Sequence, residues 1–166
     1  MSSFTRFDGS LNITYCQEAS MLLGKDYWLL RRSYVYYVGS VDSNVFVEVP
    51  YGFLSDGASV PFFARMFIST MGQHSQAAFL HDYLCETYKI SKTTTSGNIT
   101  IKVTRKEIDH IFFEALEVSG YPKWKILLVR AGVSAYRNII RPKKPRVKSL
   151  KLEMEIKCRL MLDGQK

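Results

Sequence analysis

Three stretches, YGFLSDGASVP (51–61), LHDYLCETY (80–88) and TRKEIDHIFFEAL (104–116), decide how this chain is read. In the first, Asp56-Gly57 is a turn signal, Gly57 permits a positive φ, and Pro61 suits the first position of a helix. Asp56 or Ser59 can cap that helix, which is predicted over Phe62–Thr70 and closed near Gly72. In the second, His81 and Asp82 sit inside a helix predicted over Ser75–Tyr88. Its residues Ala77, Ala78, Leu80, Leu84 and Cys85 make it apolar on most sides. In the third, Thr104 and Glu107 have the spacing of a capping box, and Ile108, Phe112, Ala115 and Leu116 recur at the helical period. Gly120 stops that helix.

Upstream the chain reads as β structure. Leu11–Cys16, Tyr27–Val38 and Val45–Phe53 are rich in Val, Tyr, Ile and Trp, and Gly39–Asn44 is a turn joining two antiparallel strands. Val45, Val47 and Val49 alternate with Phe46 and Glu48, the period of a half-buried strand, until Pro50 ends regular pairing. Downstream, the Thr-rich segment Lys89–Val103 turns at Ser96-Gly97-Asn98 and reads as a surface hairpin or a loop. Pro122 opens a helix over Lys123–Ile140 with Trp124, Leu127, Leu128 and Val133 as its apolar contacts, and Pro142 ends it.

After the linker RPKKPRVK (141–148), the segment LKLEMEIKCRL (150–160) alternates strictly. Leu150, Leu152, Met154, Ile156, Cys158 and Leu160 fall on one side of a strand and charged residues on the other. A helix would scatter those apolar groups, so a long strand is expected despite the helix preference of Leu, Met, Glu and Lys. On an arm, such a strand can add to a neighbour's sheet or close the protein's own N-terminal sheet. The expected class is α+β: an N-terminal antiparallel sheet, a three- to four-helix core and a C-terminal extended strand arm. Residues 1–140 form one domain in this reading, with 141–166 as basic linker and arm.

Composition narrows the choices. At 166 residues and 46% hydrophobic, with ten Tyr, ten Phe and two Trp, the chain has the material for a packed core and not the makeup of a disordered one. No apolar run is long enough for a membrane-spanning helix, and MSSFTRFDGS lacks the apolar centre of a signal peptide, so export by the usual route is not expected. Cys16, Cys85 and Cys158 have neither CxxC nor zinc spacing and are read as free thiols. Of the net charge of +8, residues 141–166 carry +6, from nine Lys/Arg against three Asp/Glu. The eight basic residues from Arg141 to Arg159 lack interleaved stacking aromatics, so nucleic acid is not favoured as a partner.

The chemistry concentrates at the centre. An imidazole and a carboxylate in a core-like helix need partners, because burying them bare costs several kcal/mol. Asp109, one turn into the following helix, is the best partner for His81. That bond fixes the tautomer and leaves the other ring nitrogen to take a proton from water. Asp82 and Asp56 are placed to share a hard, oxygen-liganded cation, calcium or magnesium in preference to zinc. The same residues are also consistent with a polar network bracing the core, with Asp56 as a cap and Asp109 complementing a helix dipole. His74 reads as a loop or cap residue and His110 as outward-facing; Ser59 lacks a G-x-S-x-G setting.

The motifs GFLSDGASVP, AAFLHDYLCETY and IDHIFFEAL resemble, in that order, those of a bacteriophage and prophage domain family, domain-of-unknown-function family 1353. The resemblance spans roughly Val47–Val133 and implies a phage or prophage source without an established activity. The Thr-rich insertion Ser91–Ile101 and the basic tail stand apart from it. A more distant similarity is to phospholipases A2, in which a calcium-binding glycine loop, an H-D helix and an Asp from a second helix cooperate. It implies that His81 activates water, Asp109 orients it, and Asp82 with the Gly57 loop holds calcium, although the framing disulfides and the full glycine pattern are missing here. The expected function is a phage structural or assembly protein, virion- or tail-associated. It would bind other phage proteins or copies of itself through Lys143, Lys144, Arg146, Leu150, Leu152, Met154 and Ile156. The alternative is a small metal-assisted hydrolase of host-envelope ester or amide bonds using His81, Asp109, Asp82 and Asp56.

Overall fold

The computed structural model describes residues 6–57, 72, 74–140 and 149–164, without the side chains of Arg137 and Ile140. Ser59, the helix expected over Phe62–Thr70, and Lys143, Lys144 and Arg146 lie outside the described residues.

The described residues form the expected α+β fold, built from two antiparallel sheets, where one was expected, and five helices. Strands β1 (Phe7–Asp8) and β2 (Ile13–Tyr15) lead into helix α1 (Gln17–Leu23), followed by β3 (Trp28–Leu30), β4 (Tyr34–Tyr37), β5 (Val45–Val49) and β6 (Leu54–Ser55). Then come α2 (Ser75–Thr87), the hairpin β7 (Lys89–Thr94) and β8 (Gly97–Lys102), α3 (Arg105–Val118), α4 (Lys123–Ile140) and α5 (Ser149–Asp163). The larger sheet has the order β1-β4-β5-β7-β8 and the smaller β2-β3-β6.

The Tyr27–Val38 run is two strands in different sheets, because the chain leaves β3 at Arg31–Ser33 before entering β4. Pairing of Tyr34 with Val49 and Tyr36 with Val47 puts these four side chains on one buried face. That face packs with Phe79, Leu80 and Leu84 of α2 and Ile108, Phe112 and Leu116 of α3 in the main core. The predicted capping box forms: Thr104 accepts from the Glu107 N–H while the Glu107 side chain accepts from the Thr104 N–H. The Thr-rich segment is an ordered hairpin whose β7 extends the sheet from β5.

Two expectations are corrected. On α4, Trp124, Leu127 and Leu128 are exposed; the side facing the core carries Ile126, Val129 and Val133. The spacing fits a helix either way, and packing on α3 selects the narrower stripe.

The C-terminal segment is helix α5, not a strand. Its buried residues are Lys151, Met154, Glu155 and Cys158, at intervals of three and four. Met154, Cys158 and Leu162 join Ala19 of α1, Leu29 and Leu54 in a second apolar cluster, so Met154 is not available to a partner. A row of charged residues four apart faces the body of the protein. Lys151 pairs with Glu86, Glu155 accepts the Leu54 N–H at 3.0 Å, Arg159 lies over Gly52, and Asp163 accepts the Tyr51 hydroxyl at 2.8 Å. The expected alternation is real, but helix propensity and these polar partners outweigh it. Leu150, Leu152 and Ile156 are left exposed.

Gly52 has φ of +80°, and a Cβ there would run into the Arg159 guanidinium. Gly52→Ala is expected to cost about 1 kcal/mol in urea unfolding, mainly from backbone strain, since the Arg159 side chain can move aside.

Candidate functional site

The centre of the site comes from two consecutive residues of α2 that point into different surroundings. His81 faces α3. Its Nε2 lies 3.2 Å from Asp109 Oδ1, and its ring stacks on Phe112 with centroids 4.3 Å apart. Asp109 is fully buried, and the same oxygen accepts from Arg105 Nε at 3.2 Å, one turn earlier on α3. Arg105 also donates to Cys85 Sγ at 2.8 Å, and that sulfur is 3.6 Å from His81 Nε2. With Asp109 accepting, the proton of a neutral ring belongs on Nε2, and Nδ1 has no hydrogen bond among the described residues.

The His81 side chain is 12% exposed. Burial lowers its pKa below the ordinary value; the Asp109 hydrogen bond opposes this, and the charge of Arg105 adds to it. The ring is therefore neutral at pH 7 and able to accept a proton.

Asp82 faces the other way. The Ser55 hydroxyl donates to Asp82 Oδ2 at 2.5 Å, and Ser55 Oγ accepts the Gly57 N–H at 3.0 Å, tying β6 and its turn to α2. Asp56 pairs with Lys25 at 3.1 Å. Burial, then the nearby charge of Asp56, push the Asp82 carboxyl up to about 7, against the Ser55 hydrogen bond and Lys151. Lys151 reaches this cluster from α5. Its ammonium pairs with Glu86, lies 3.5 Å from Glu155, and sits 4.3 Å from the centre of the Phe53 ring.

The predicted constellation thus resolves into two networks. His81 and Asp109 meet as expected, while Asp82 and Asp56 belong to an acidic cluster with Glu86, Glu155 and Lys151. The described residues contain no group of three or more His, Cys, Asp or Glu able to hold a metal ion. Calcium needs six to eight oxygens, so Asp56 and Asp82 would hold it only together with further donors such as backbone carbonyls or water. His74 occupies the N-cap position of α2 and His110 is exposed, as read from sequence. Arg105 joins the first network and Ser55, Glu86 and Lys151 the second; of these, only Arg105 has a local signal in the sequence, its i,i+4 spacing to Asp109.

Between about pH 4 and pH 7 the folded state holds a proton at Asp82 that the unfolded state releases, so stability falls as pH rises through that window. Asp82→Asn is expected to flatten this fall and to stabilise the fold at pH 8 by on the order of 2 kcal/mol, read from urea unfolding at several pH values.

No described helix is long and apolar enough to cross a membrane. No curated protein and no solved structure shows significant similarity to the chain. A family model does match, over residues 28–133, covering most of both sheets, the Ser55–Asp82 contact, the His81–Asp109 pair and the first half of α4. The chain belongs to the family described as protein of unknown function DUF1353.

Proposed function

We propose that the chain is a small hydrolase of ester bonds in which His81 is the general base and Asp109 the residue that positions it. The observation carrying this reading is the His81 Nε2–Asp109 Oδ1 contact of 3.2 Å to a fully buried carboxylate, with Nδ1 unbonded among the described residues. A neutral imidazole held this way takes a proton from water as the water oxygen adds to a carbonyl carbon. It returns the proton to the departing alkoxide when the ester C–O bond breaks. Arg105 also donates to the Asp109 carboxylate and helps to fix it.

The test is hydrolysis of short-chain and phospholipid esters by the wild-type chain and His81→Ala, with calcium or magnesium and after chelation. Wild-type turnover that drops about 100-fold or more in a folded His81→Ala supports the reading; equal rates in both sink it. The wild-type rate should rise with pH and level off, with its midpoint below pH 6.5, the ordinary histidine value from which burial lowers His81. The two metal conditions decide whether turnover needs a cation.

A second reading, a bacteriophage structural or assembly protein, is favoured by the exposed row Leu152, Ile156 and Leu160 on α5. Normal incorporation into particles of the double variant Leu152→Ser with Ile156→Ser would remove that support.

A further inference from the structure

Helix α4 turns an apolar face away from the protein. Its contact with the core runs through Ile126, Val129 and Val133. Trp124 (55% exposed), Leu127 (63%), Leu128 (38%) and Ile139 (78%) project elsewhere, with the exposed Ala131 and Ala135 between them. At about 100° per residue, these six positions share one arc about 120° wide, the width of a buried helix face. Lys123 and Arg130, two helical turns apart, line one border of the arc, Arg130 half-exposed with its guanidinium 3.8 Å from Glu117 and 4.8 Å from the Phe113 ring centre; Lys125 stands on the other. The Lys125 ammonium lies 5.4 Å from the Trp124 ring centre. Residues 123–140 contain four basic residues and no acidic one.

We infer that α4 is an interfacial helix that seats this protein on an anionic lipid surface. Trp and Leu side chains along an exposed helix, bordered by Lys and Arg, combine apolar burial at the acyl boundary with attraction to anionic headgroups. Charge decides among the occupants. A second copy would bring another set of Lys and Arg borders to the same seam, on a chain already at +8. A nucleic acid would use the basic border and leave Leu127 and Ile139 in water. Of these three, an anionic bilayer alone uses the arc and its borders together. The inference does not depend on the chemistry of His81, but it gives an ester hydrolase a lipid surface to work on.

The experiment is co-sedimentation of the full chain with phosphatidylcholine vesicles, with and without about 30 mol % phosphatidylglycerol. Binding is expected to the anionic vesicles, weakening as salt is raised. Trp124 emission should shift to the blue, a shift absent from Trp124→Phe. Leu127→Glu and the pair Lys123→Glu with Arg130→Glu should each weaken binding by about tenfold or more while circular dichroism is unchanged. His81→Ala should bind as wild type, which separates this inference from the proposed catalysis.

Absence of vesicle binding overturns the inference, as does equal binding to neutral vesicles. A dimer dissolved by Leu127→Glu, with no vesicle binding, would assign the face to a second copy. Oligonucleotide binding that needs Lys123 and Arg130 but ignores Leu127→Glu, again without vesicle binding, would assign the border to nucleic acid.

Discussion

Asp109→Ala is expected to lower the stability of the fold by about 3–5 kcal/mol, the loss that follows when one member of a buried ion pair is removed. The carboxylate is fully buried and accepts from both His81 and Arg105. Without it the Arg105 guanidinium, only 15% exposed, keeps its charge beside a cavity. His81 loses the acceptor that sets its tautomer at the same time. Urea unfolding of the alanine variant measures the first effect. Asp109→Asn separates it from the second, because the amide keeps the volume and one acceptor oxygen while removing the charge. If Asp109 only braces the core, the asparagine variant should lose stability and retain whatever hydrolysis the folded fraction supports. If Asp109 positions His81, the rate per folded molecule should fall and the pH profile should move with it, since the carboxylate helps hold the imidazolium.

The two helices that carry this dyad were legible because their signals are local. Thr104 and Glu107 cap each other three residues apart, and α2 is apolar on most sides despite the interruption by His81 and Asp82. The meeting of His81 with Asp109 followed from the cost of burying either without a partner. What failed needed knowledge of distant chain. On α4 two apolar stripes compete, and nothing within Lys123–Ile140 says whether Trp124 and Leu127 or Ile126 and Val129 face α3. On α5 the apolar residues alternate because the helix buries polar residues as well. Its charged row on the side of the body, buried at Lys151 and Glu155 and exposed at Arg159 and Asp163, meets Glu86, Leu54, Gly52 and Tyr51, between 65 and 112 positions away. Hydrophobic periodicity assumes that burial follows apolarity, and a helix docked through charge breaks that assumption. Helix α1 gave no cap signal at Cys16 and went unnoticed, although Gly24 ends it in the left-handed conformation.

The same charged row makes Lys151→Met the second large effect. Lys151 is buried, pairs with Glu86, lies near Glu155 and stands over the Phe53 ring. Its charge also pulls down the pKa values of Glu86 and Asp82, both of which burial raises. Methionine fills the space and removes the cation, leaving these carboxylates to share a poorly hydrated cleft. The expected loss is about 3–5 kcal/mol at pH 8, with α5 becoming open to proteolysis before the sheets unfold. The sign of its pH dependence is fixed. Protonating Glu86 and Asp82 removes the unpaired charges, so the loss should shrink as pH falls toward 5. Adding Glu86→Gln to Lys151→Met should recover part of the stability, giving a coupling energy that no pair of independent sites would show. A loss that stays the same from pH 8 to pH 5, with no recovery in the double variant, would mean that Lys151 acts through its methylene packing on Phe53 and not through its charge. In that case the acidic cluster would not be what holds α5 against the body of the protein.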